Sequence, residues 1–346
     1  MNPILIVGPC AAESQIQLAS TLSRLQDCFA KNSLEISYFR AGVWKPRSTP
    51  DTFTGLGALA LPWLKKIETD FHVRACLEVA TPEHVRAALA AGLRHFWIGS
   101  RTAVNPFLVQ ELAENLKDNA ETVMVKNPMT PDLNLWLGNI ERFQKAGIPN
   151  VLAIHRGFAD NHETLYRNNP LWEIPIELKL HLPDLPLLCD VSHLTGNPKY
   201  LGEAAQIALD YGFDGLMIES HCEPSNALSD AQQQVTPETL TEILKTLVFK
   251  SPTTSPAENA LRKERNLLEH VDTQMAELLA KRMSIVDTIA EIKKENNLPI
   301  VQPKQWNKVV AKYQDAALQD EQYQEFIKKF LELLHQYSVA RQRNGD

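Results

Sequence analysis

Cationic side chains recur directly after short apolar runs in the first 250 residues of the chain. Guanidinium and ammonium groups in such number need anionic partners, and the guanidinium fork matches the oxygen atoms of phosphate and carboxylate groups. If the fold gathers them at one surface, the sequence predicts a binding site for small polyanionic metabolites. The cationic or potentially cationic residues are Arg40, Lys45, Arg47, Arg101, Lys126, His155 and Arg156.

Potential metal donors occupy similar positions in the same region, namely Cys10, His193, Glu219 and Asp230. Thiolate, imidazole and carboxylate together mix soft and hard donors, which suits a borderline divalent ion with an open coordination position. Each residue alone could equally be a buried structural side chain, so the prediction depends on their joint placement. We expect one divalent metal ion, and the donor types leave manganese, iron, cobalt and zinc open.

Eight apolar runs with strand character precede these residues and alternate with amphipathic stretches of helical period. Eight such units in about 250 residues match a (β/α)₈ TIM barrel, an α/β fold whose active site lies at the carboxyl ends of the strands. A doubly wound sheet is the alternative, but no G-x-G-x-x-G turn follows the first run. The predicted strands are 4–7, 36–40, 73–79, 95–98, 122–125, 151–154, 187–190 and 215–218.

Glycine and proline divide the chain into two regions. Thirteen of the 14 glycines precede residue 216, and neither residue type occurs between Ala257 and Leu298, as a long uninterrupted helix requires. The stretch 251–256 reads Ser-Pro-Thr-Thr-Ser-Pro and has linker character. We therefore predict a barrel domain over residues 1–250, a linker over 251–256 and an all-helical domain over 257–346.

The helical region carries one long apolar stripe. Its spacing of three and four residues predicts a helix of about 40 residues, followed by shorter helices near 304–317 and 320–342. A unit of this size cannot bury so long a stripe within itself, so we expect a homodimer formed through this domain. The stripe consists of Leu261, Leu268, Val271, Met275, Leu278, Leu279, Ile285, Ile289 and Ile292.

Composition excludes several classes of partner. The net charge of −7 provides no basic excess for nucleic acid, and no stretch approaches the ~18 apolar residues of a membrane span or has the features of a signal peptide. The five cysteines are scattered and form no C-x-x-C pair, so they indicate neither a disulfide framework nor a structural zinc site. We expect a cytoplasmic protein that binds neither nucleic acid nor membrane.

Six segments of the first region together resemble 3-deoxy-D-arabino-heptulosonate-7-phosphate (DAHP) synthases of the short-barrel kind. The resemblance covers nearly all of residues 1–250. It is carried by Gly8-Pro9-Cys10, Arg40-Ala41-Gly42 with Lys45-Pro46-Arg47-Ser48, Ile98-Gly99-Ser100-Arg101, Ser192-His193, Ile218-Glu219-Ser220-His221 and Asp230-Ala231-Gln232-Gln233.

The resemblance implies condensation of phosphoenolpyruvate with erythrose 4-phosphate, the first committed step of aromatic biosynthesis. It also implies residue roles, with Lys45 and Lys126 counted as catalytic. The metal would be held by Cys10, His193, Glu219 and Asp230, phosphoenolpyruvate by Arg40, Lys45, Arg101, Lys126 and Arg156, and the erythrose phosphate by Arg47 and Ser48.

Two departures from the family pattern preserve the chemistry, since Ser48 stands where Thr is frequent and Val191 where Pro is frequent. The nearest alternative is the related synthase of 3-deoxy-D-manno-octulosonate 8-phosphate, which uses the same barrel and phosphoenolpyruvate. That family usually has Ala-Asn at the position of Pro46-Arg47, so this segment favours the DAHP synthases.

The helical region resembles the all-helical, type II chorismate mutases over about residues 261–343. The resemblance is carried by Arg265-x6-Asp272, Ala280-Lys281-Arg282, Ile292-Lys293 and Ser338-x3-Gln342. It implies rearrangement of chorismate to prephenate in a dimer of interlocked helices. Arg282 and the other chain's Arg265 would bind carboxylates, Lys293 and Gln342 would meet the ether oxygen, and Gln302 and Ser338 would contact the rest of the substrate.

One departure in this region concerns Gln305-Trp306, where many family members have Arg-Glu, the Glu holding the chorismate hydroxyl. An indole N–H cannot accept a hydrogen bond, so weaker turnover is expected. The alternative is that the helical domain is a non-catalytic dimerisation and regulatory module. We predict a bifunctional enzyme, and because the first strand begins near Pro3 with no preceding domain, we expect prephenate or chorismate bound to the mutase domain to regulate the synthase.

Overall fold

A computed structural model describes residues 3–45, 52–159, 165–249, 255–302, 306, 308–309 and 321–343. It consists of two compact units, Met1–Ser251 and Pro252–Asp346.

The first unit is a closed barrel of eight parallel strands, which confirms the predicted (β/α)₈ fold. The strands pair in sequence order, and β1 pairs with β8 from Ile4 opposite Gly215 to Gly8 opposite Glu219, which closes the cylinder. Their bounds are β1 Ile4–Gly8, β2 Tyr38–Arg40, β3 Ala75–Glu78, β4 His95–Ile98, β5 Thr122–Lys126, β6 Asn150–His155, β7 Leu187–Asp190 and β8 Gly215–Glu219.

Several helices on the outside of the barrel begin at side-chain caps. The side chains of Ser14, Thr81, Asn105, Asp132 and Thr236 each accept a backbone N–H of the first turn, which satisfies donors that the helix itself leaves free. The helices are α1 Gln15–Ala30, α2 Leu61–Phe71, α3 Pro82–Ala90, α4 Pro106–Leu116, α5 Leu133–Lys145, α6 Glu173–His181, α7 Val191–Thr195, α8 Leu201–Asp210 and α9 Pro237–Thr246.

Two apolar layers hold the barrel together. The larger layer lies between the strands and the surrounding helices. The smaller one fills the inside of the cylinder and consists of Ile6, Tyr38, Cys76, Trp97, Met124, Leu152, Ile154, Leu188 and Met217. Because side chains alternate between the two faces of a strand, this inner set fixes which later residues also point inward.

The second unit contains two long helices, α10 Ser255–Glu295 and α11 Glu321–Arg343. The 41 residues of α10 agree with the predicted length. The helix begins at Ser255, so residues 255–256 are helical rather than linker, which suits Pro256 because proline is favoured in a first turn. Residues 250–254 and most of the predicted helix 304–317 lie outside the described part of the chain. None of the described helices is both long and apolar enough to cross a membrane.

Candidate active sites

Alternation along the strands places one ring of polar residues at the carboxyl end of the barrel. Each residue of the ring lies two positions after an inward-facing apolar residue, as Arg40 follows Tyr38 and Lys126 follows Met124. The ring therefore points into the mouth directly above the inner apolar layer. Its polar members are Arg40, Glu78, Lys126, Arg156, Asp190 and Glu219, and the glycines Gly8 and Gly99 occupy the equivalent positions on the other two strands.

One half of the ring is organised by Asp190, which ends β7. Its Oδ2 lies 2.6 Å from Nζ of Lys126, and its two oxygens lie 2.9 and 3.0 Å from Nδ1 of His193. Burial opposes ionisation, but the neighbouring His193 and Lys126 hold the pKa of Asp190 well below its ordinary value. Asp190 therefore remains a carboxylate that orients both partners.

This contact determines the state of His193. Burial lowers the pKa of His193, so the imidazole is neutral near pH 7. Because Nδ1 donates to Asp190, Nε2 keeps a free lone pair. The Nε2 atom lies 3.6 Å from Oε1 of Glu219. Two electron-pair donors thus face each other, an arrangement that suits a cation between them.

Glu219 is buried at the end of β8. Its Oε1 lies 2.9 Å from a guanidinium nitrogen of Arg40, and its Oε2 accepts from Nε2 of Gln233 at 2.6 Å. Burial again opposes ionisation, but the positive charges of Arg40 and Lys45 keep the pKa of Glu219 below its ordinary value. Nη1 of Arg40 is buried and has no hydrogen-bond partner among the described residues. Arg40 therefore has a donor left for a ligand.

Cys10 follows β1 and is fully buried. Its Sγ lies 3.3 Å from Oδ2 of Asp230 and 2.9 Å from Nζ of Lys45. Burial and the negative charge of Glu219 raise the pKa of the Cys10 thiol to about 12. Asp230 has a left-handed φ of 46°, a conformation that aspartate tolerates better than most residues.

The four predicted donors therefore lie in two neighbouring pairs, Cys10 with Asp230 and His193 with Glu219. Among the described residues, no group of three His, Cys, Asp or Glu side chains is already gathered as a metal site. Their chemistry nevertheless fits a divalent ion, because the lone pair of His193 is directed by Asp190 and lies opposite a carboxylate.

The remaining predicted cations lie in different environments. Arg156 is buried, donates to Oδ1 of Asn168 at 2.8 Å, and has its pKa lowered to about 10 by burial. Arg101 is exposed, and its charge acts on Arg156. Arg47 and Ser48 lie outside the described residues.

His155 is not a cation of the mouth, so that prediction is wrong. The preceding residue of β6, Ile154, points into the cylinder, and His155 therefore points toward the helices. Burial lowers the pKa of His155 to about 3, with the charge of Arg156 adding to the effect. The imidazole is neutral and is surrounded by the rings of Trp136, Phe158, Trp172 and Phe213.

Four residues of the mouth, Glu78, Asp190, Gln233 and Arg167, were not predicted as site residues. Asp190 could have been found, because it ends its strand two positions after the inward-facing Leu188. Gln233 and Arg167 lie in loops without periodicity, where Arg167 donates to Oε1 of Gln233 at 2.8 Å and lies 3.4 Å from Asp230. Their roles become visible only in three dimensions.

The second unit brings together four predicted residues between α10 and α11. Arg282 donates to Oγ of Ser338 at 2.7 Å, and Nζ of Lys293 lies 3.1 Å from Oε1 of Gln342. Lys293 also donates to the carbonyl oxygen of Ile300 at 2.6 Å. These contacts form a cationic groove that suits a dicarboxylate with a polar oxygen near its centre.

Two predicted residues of this unit, Gln302 and Arg265, are exposed. The carbonyl oxygen of Gln302 accepts from the backbone N–H of Trp306, whose indole stacks on His335 with 4.0 Å between ring centroids. His335 lies one turn before Ser338 on α11, and so borders the same groove.

Comparisons with known proteins agree with this division of the chain. The sequence model of the DAHP synthetase I family matches residues 1–252, and that of chorismate mutase type II matches residues 264–343. A phospho-2-dehydro-3-deoxyheptonate aldolase of Thermotoga maritima is 26% identical over 241 residues, which cover 70% of this chain and 68% of that protein. A 2-dehydro-3-deoxyphosphooctonate aldolase of Protochlamydia amoebophila is 26% identical over 245 residues, covering 66% of this chain and 85% of that protein.

Solved structures show the same fold. The crystal structure of a Thermotoga maritima DAHP synthase superposes with a TM-score of 0.60 at 24% identity, covering 70% of this chain and 67% of that one. A truncated form of the 3-deoxy-D-arabino-heptulosonate 7-phosphate synthase from the same organism gives a TM-score of 0.58 at 22% identity, covering 70% and 84%.

Proposed function

Because the chain belongs to the DAHP synthetase I family over residues 1–252 and continues as a type II chorismate mutase over 264–343, we propose that it is a bifunctional enzyme of aromatic biosynthesis. The barrel condenses phosphoenolpyruvate with erythrose 4-phosphate to DAHP and phosphate. The helical unit rearranges chorismate to prephenate. The observation that supports the first activity is the convergence of Arg40, Lys45 and Lys126 on the mouth that also contains the four proposed metal donors.

Phosphoenolpyruvate carries a phosphate and a carboxylate, which match the cations of the mouth. Two of these cations are held in place by carboxylates, Arg40 by Glu219 and Lys126 by Asp190. Nη1 of Arg40, which has no hydrogen-bond partner in the part of the chain that the structure describes, is available to a substrate oxygen. We assign phosphoenolpyruvate to Arg40, Lys45, Arg101, Lys126 and Arg156, and the phosphate of the erythrose to Arg47 and Ser48.

In the reaction, C3 of phosphoenolpyruvate attacks the aldehyde carbon, water adds at C2, and phosphate leaves with cleavage of the C–O bond. Lys45 and Lys126 act as the catalytic cations, because fixed positive charge stabilises the negative charge that develops during attack and departure. A divalent ion held by Cys10, His193, Glu219 and Asp230 would supply Lewis acidity to the sugar aldehyde. Manganese, iron, cobalt and zinc all suit this donor set.

The test is the release of phosphate from phosphoenolpyruvate in the presence of erythrose 4-phosphate. The alternative, synthesis of the eight-carbon sugar acid, gains support from the relatives named 2-dehydro-3-deoxyphosphooctonate aldolase. Arabinose 5-phosphate separates the two. Turnover with erythrose 4-phosphate alone supports the DAHP synthase, and turnover with arabinose 5-phosphate alone overturns it.

The mutase activity is carried by the groove between α10 and α11. A [3,3]-sigmatropic rearrangement needs neither a nucleophile nor proton transfer, so catalysis depends on holding the reactive conformer and stabilising charge on the ether oxygen. We assign that oxygen to Lys293 and Gln342, whose Nζ and Oε1 atoms lie 3.1 Å apart. Arg282 binds a carboxylate, Ser338 and Gln302 contact the rest of the substrate, and Arg265 comes from the other subunit.

Assays of chorismate loss distinguish this activity from a non-catalytic module. The Lys293→Ala variant should lose about 10²–10³-fold in rate, as enzymes do when a donor to a developing negative charge is removed. Equal background rates for the variant and the parent protein would favour the dimerisation module.

We also propose that the helical unit forms a homodimer. Eight of the nine stripe residues of α10 are between 40% and 65% exposed in the single chain, and helices expose so long an apolar row rarely. A second copy would cover it, with each site completed by the partner's Arg265. The eight are Leu261, Leu268, Val271, Met275, Leu278, Ile285, Ile289 and Ile292.

Regulation completes the proposal. Prephenate or chorismate bound to the helical unit would alter synthase activity, since both lie downstream of the synthase on one pathway. Synthase kinetics unaffected by saturating prephenate would contradict this. We place the enzyme in the cytoplasm, where its five free cysteines would stay reduced.

A further inference from the structure

A buried tryptophan lies directly beneath the mouth of the barrel. Trp97, the third residue of β4, points into the cylinder and is 1% exposed. The guanidinium carbon of Arg40 lies 5.0 Å from the centroid of its ring, and Nζ of Lys126 lies 5.7 Å from it. One indole therefore contacts both of the cations that the proposed synthase uses for phosphoenolpyruvate.

These distances are within the range of cation–π attraction, which strengthens when the cation is removed from water. Arg40 and Lys126 are both buried, and each is paired on another side with a carboxylate, Glu219 or Asp190. Each cation thus contacts both a carboxylate and the π system of Trp97. The ring attracts two like charges that repel each other in a site of low dielectric.

The orientation of the indole is itself fixed. Nε1 of Trp97 donates to Oε2 of Glu78 at 3.0 Å. The carboxylate of Glu78 packs against the backbone of Gly99, in space that a side chain at position 99 would fill. A Cβ there would lie 2.1 Å from Oε1 of Glu78. Gly99, Glu78 and Trp97 thus form a connected set that determines which way the ring faces.

We propose that Trp97 is a positioning residue of the synthase, whose π face sets the separation and orientation of Arg40 and Lys126 for the two anionic groups of phosphoenolpyruvate. The inference rests on the proposed function of the barrel. It distinguishes phosphoenolpyruvate from erythrose 4-phosphate, because the two cations that lie over the ring, Arg40 and Lys126, are both assigned to phosphoenolpyruvate.

The experiment keeps the shape of the Trp97 side chain and changes the electron density on the face of its ring. Tryptophans with increasing numbers of fluorine atoms on the ring are incorporated at position 97 of the full chain, and phosphoenolpyruvate binding is measured by calorimetry, with both KM values and kcat measured alongside. Fluorine withdraws charge from the ring face, so the Kd for phosphoenolpyruvate should rise stepwise, by about 10-fold for the fully fluorinated ring. KM for erythrose 4-phosphate should remain within about twofold.

Conventional variants provide a second measurement. Trp97→Phe keeps a π face and should bind phosphoenolpyruvate several-fold better than Trp97→Leu. The matched control is Trp136→Leu, because Trp136 is an equally buried tryptophan of the barrel whose indole donates to the carbonyl oxygen of Val125. It should lower stability without a selective effect on phosphoenolpyruvate.

The outcomes separate the two proposals. A parent protein that neither binds phosphoenolpyruvate nor releases phosphate from it overturns the synthase function. An active parent whose fluorinated series shows no trend, or in which both KM values rise together, overturns the role of Trp97.

Discussion

The ammonium nitrogen of Lys126 lies 2.6 Å from a carboxylate oxygen of Asp190, and both side chains are buried at the mouth of the barrel. The same carboxylate contacts Nδ1 of His193. One residue thus orients both the cation that we propose for the substrate and the imidazole that we propose for the metal.

Replacing Asp190 with Asn should therefore damage both stability and metal binding. Lys126 would be left as a buried charge without its partner, which costs about 3–5 kcal/mol of unfolding free energy. Loss of the carboxylate behind His193 should weaken metal affinity about 10–100-fold. Urea unfolding and metal titration measure the two effects.

The control for this variant is Asp70→Asn. Asp70 forms an exposed ion pair with Lys66 at 2.8 Å, and such pairs contribute about 0–1 kcal/mol. If D190N and D70N proved equally stable, Asp190 would have no supporting role.

The buried His155 predicts a pH dependence of stability. Its pKa falls from 6.5 in the unfolded chain to about 3 in the folded one, mainly through burial. Between these values the unfolded state binds the extra proton, so stability is present in full above pH 6.5 and is lost as the pH falls toward 3. This residue should contribute a slope of up to ~1.4 kcal/mol per pH unit.

Urea unfolding at several pH values checks this prediction. His155→Phe removes the titrating group and should flatten the slope, whereas His181→Gln, at an exposed position of α6, should leave it as it is. Parallel slopes for the parent and H155F would contradict the prediction.

The barrel could be predicted because its strands are apolar runs followed by polar residues, as at Leu187–Asp190. The error concerned which residues of a strand point into the barrel and which point toward the helices. His155 and Arg156 are adjacent, so they cannot both point into the mouth, and this information was already present in the sequence. The positions of Gln233 and Arg167 depend on how the loops fold over the barrel, which no local period encodes. In the helical unit, the length of α10 followed from its period, whereas the stacking of Trp306 on His335 did not.

Gly99→Ala should be destabilising although its backbone conformation is ordinary. The added Cβ would lie 2.1 Å from Oε1 of Glu78. The hydrogen bond that Glu78 accepts from Trp97 would therefore have to break or shift. Overpacking of this kind costs about 1–3 kcal/mol. Gly138→Ala is the matched control, because its Cβ would meet only the flexible end of Arg142 and alanine favours the helix. Thermal unfolding should give a lower Tm than the parent for G99A and a higher Tm for G138A. A G99A variant as stable as the parent would show that Glu78 moves without cost.

Removal of metal should separate the two activities. A chelator should abolish phosphate release by the barrel while chorismate loss continues, since the groove around Lys293 consists of cations and neutral groups rather than metal donors. Cys10→Ala should reproduce the effect of the chelator, and Cys28→Ala, at a half-buried position on α1, should not. Full synthase activity of metal-free protein would exclude the proposed role of the four donors.

The last prediction concerns Arg265, which is exposed on α10 and which we assign to the mutase site of the other subunit. Arg265→Ala and Lys293→Ala should each inactivate the mutase as homodimers, because every site then lacks one cation. Mixed after reversible unfolding, the two variants should form heterodimers in which one site receives both intact residues and the other receives neither. With random pairing, half of the dimers are mixed, so the mutase rate should recover to about one quarter of the parent value.

An Arg282→Ala and Lys293→Ala mixture is the control, since both residues belong to the same chain's site and no pairing restores it. Recovery in the control, or none in the Arg265 mixture, would contradict a site shared between subunits.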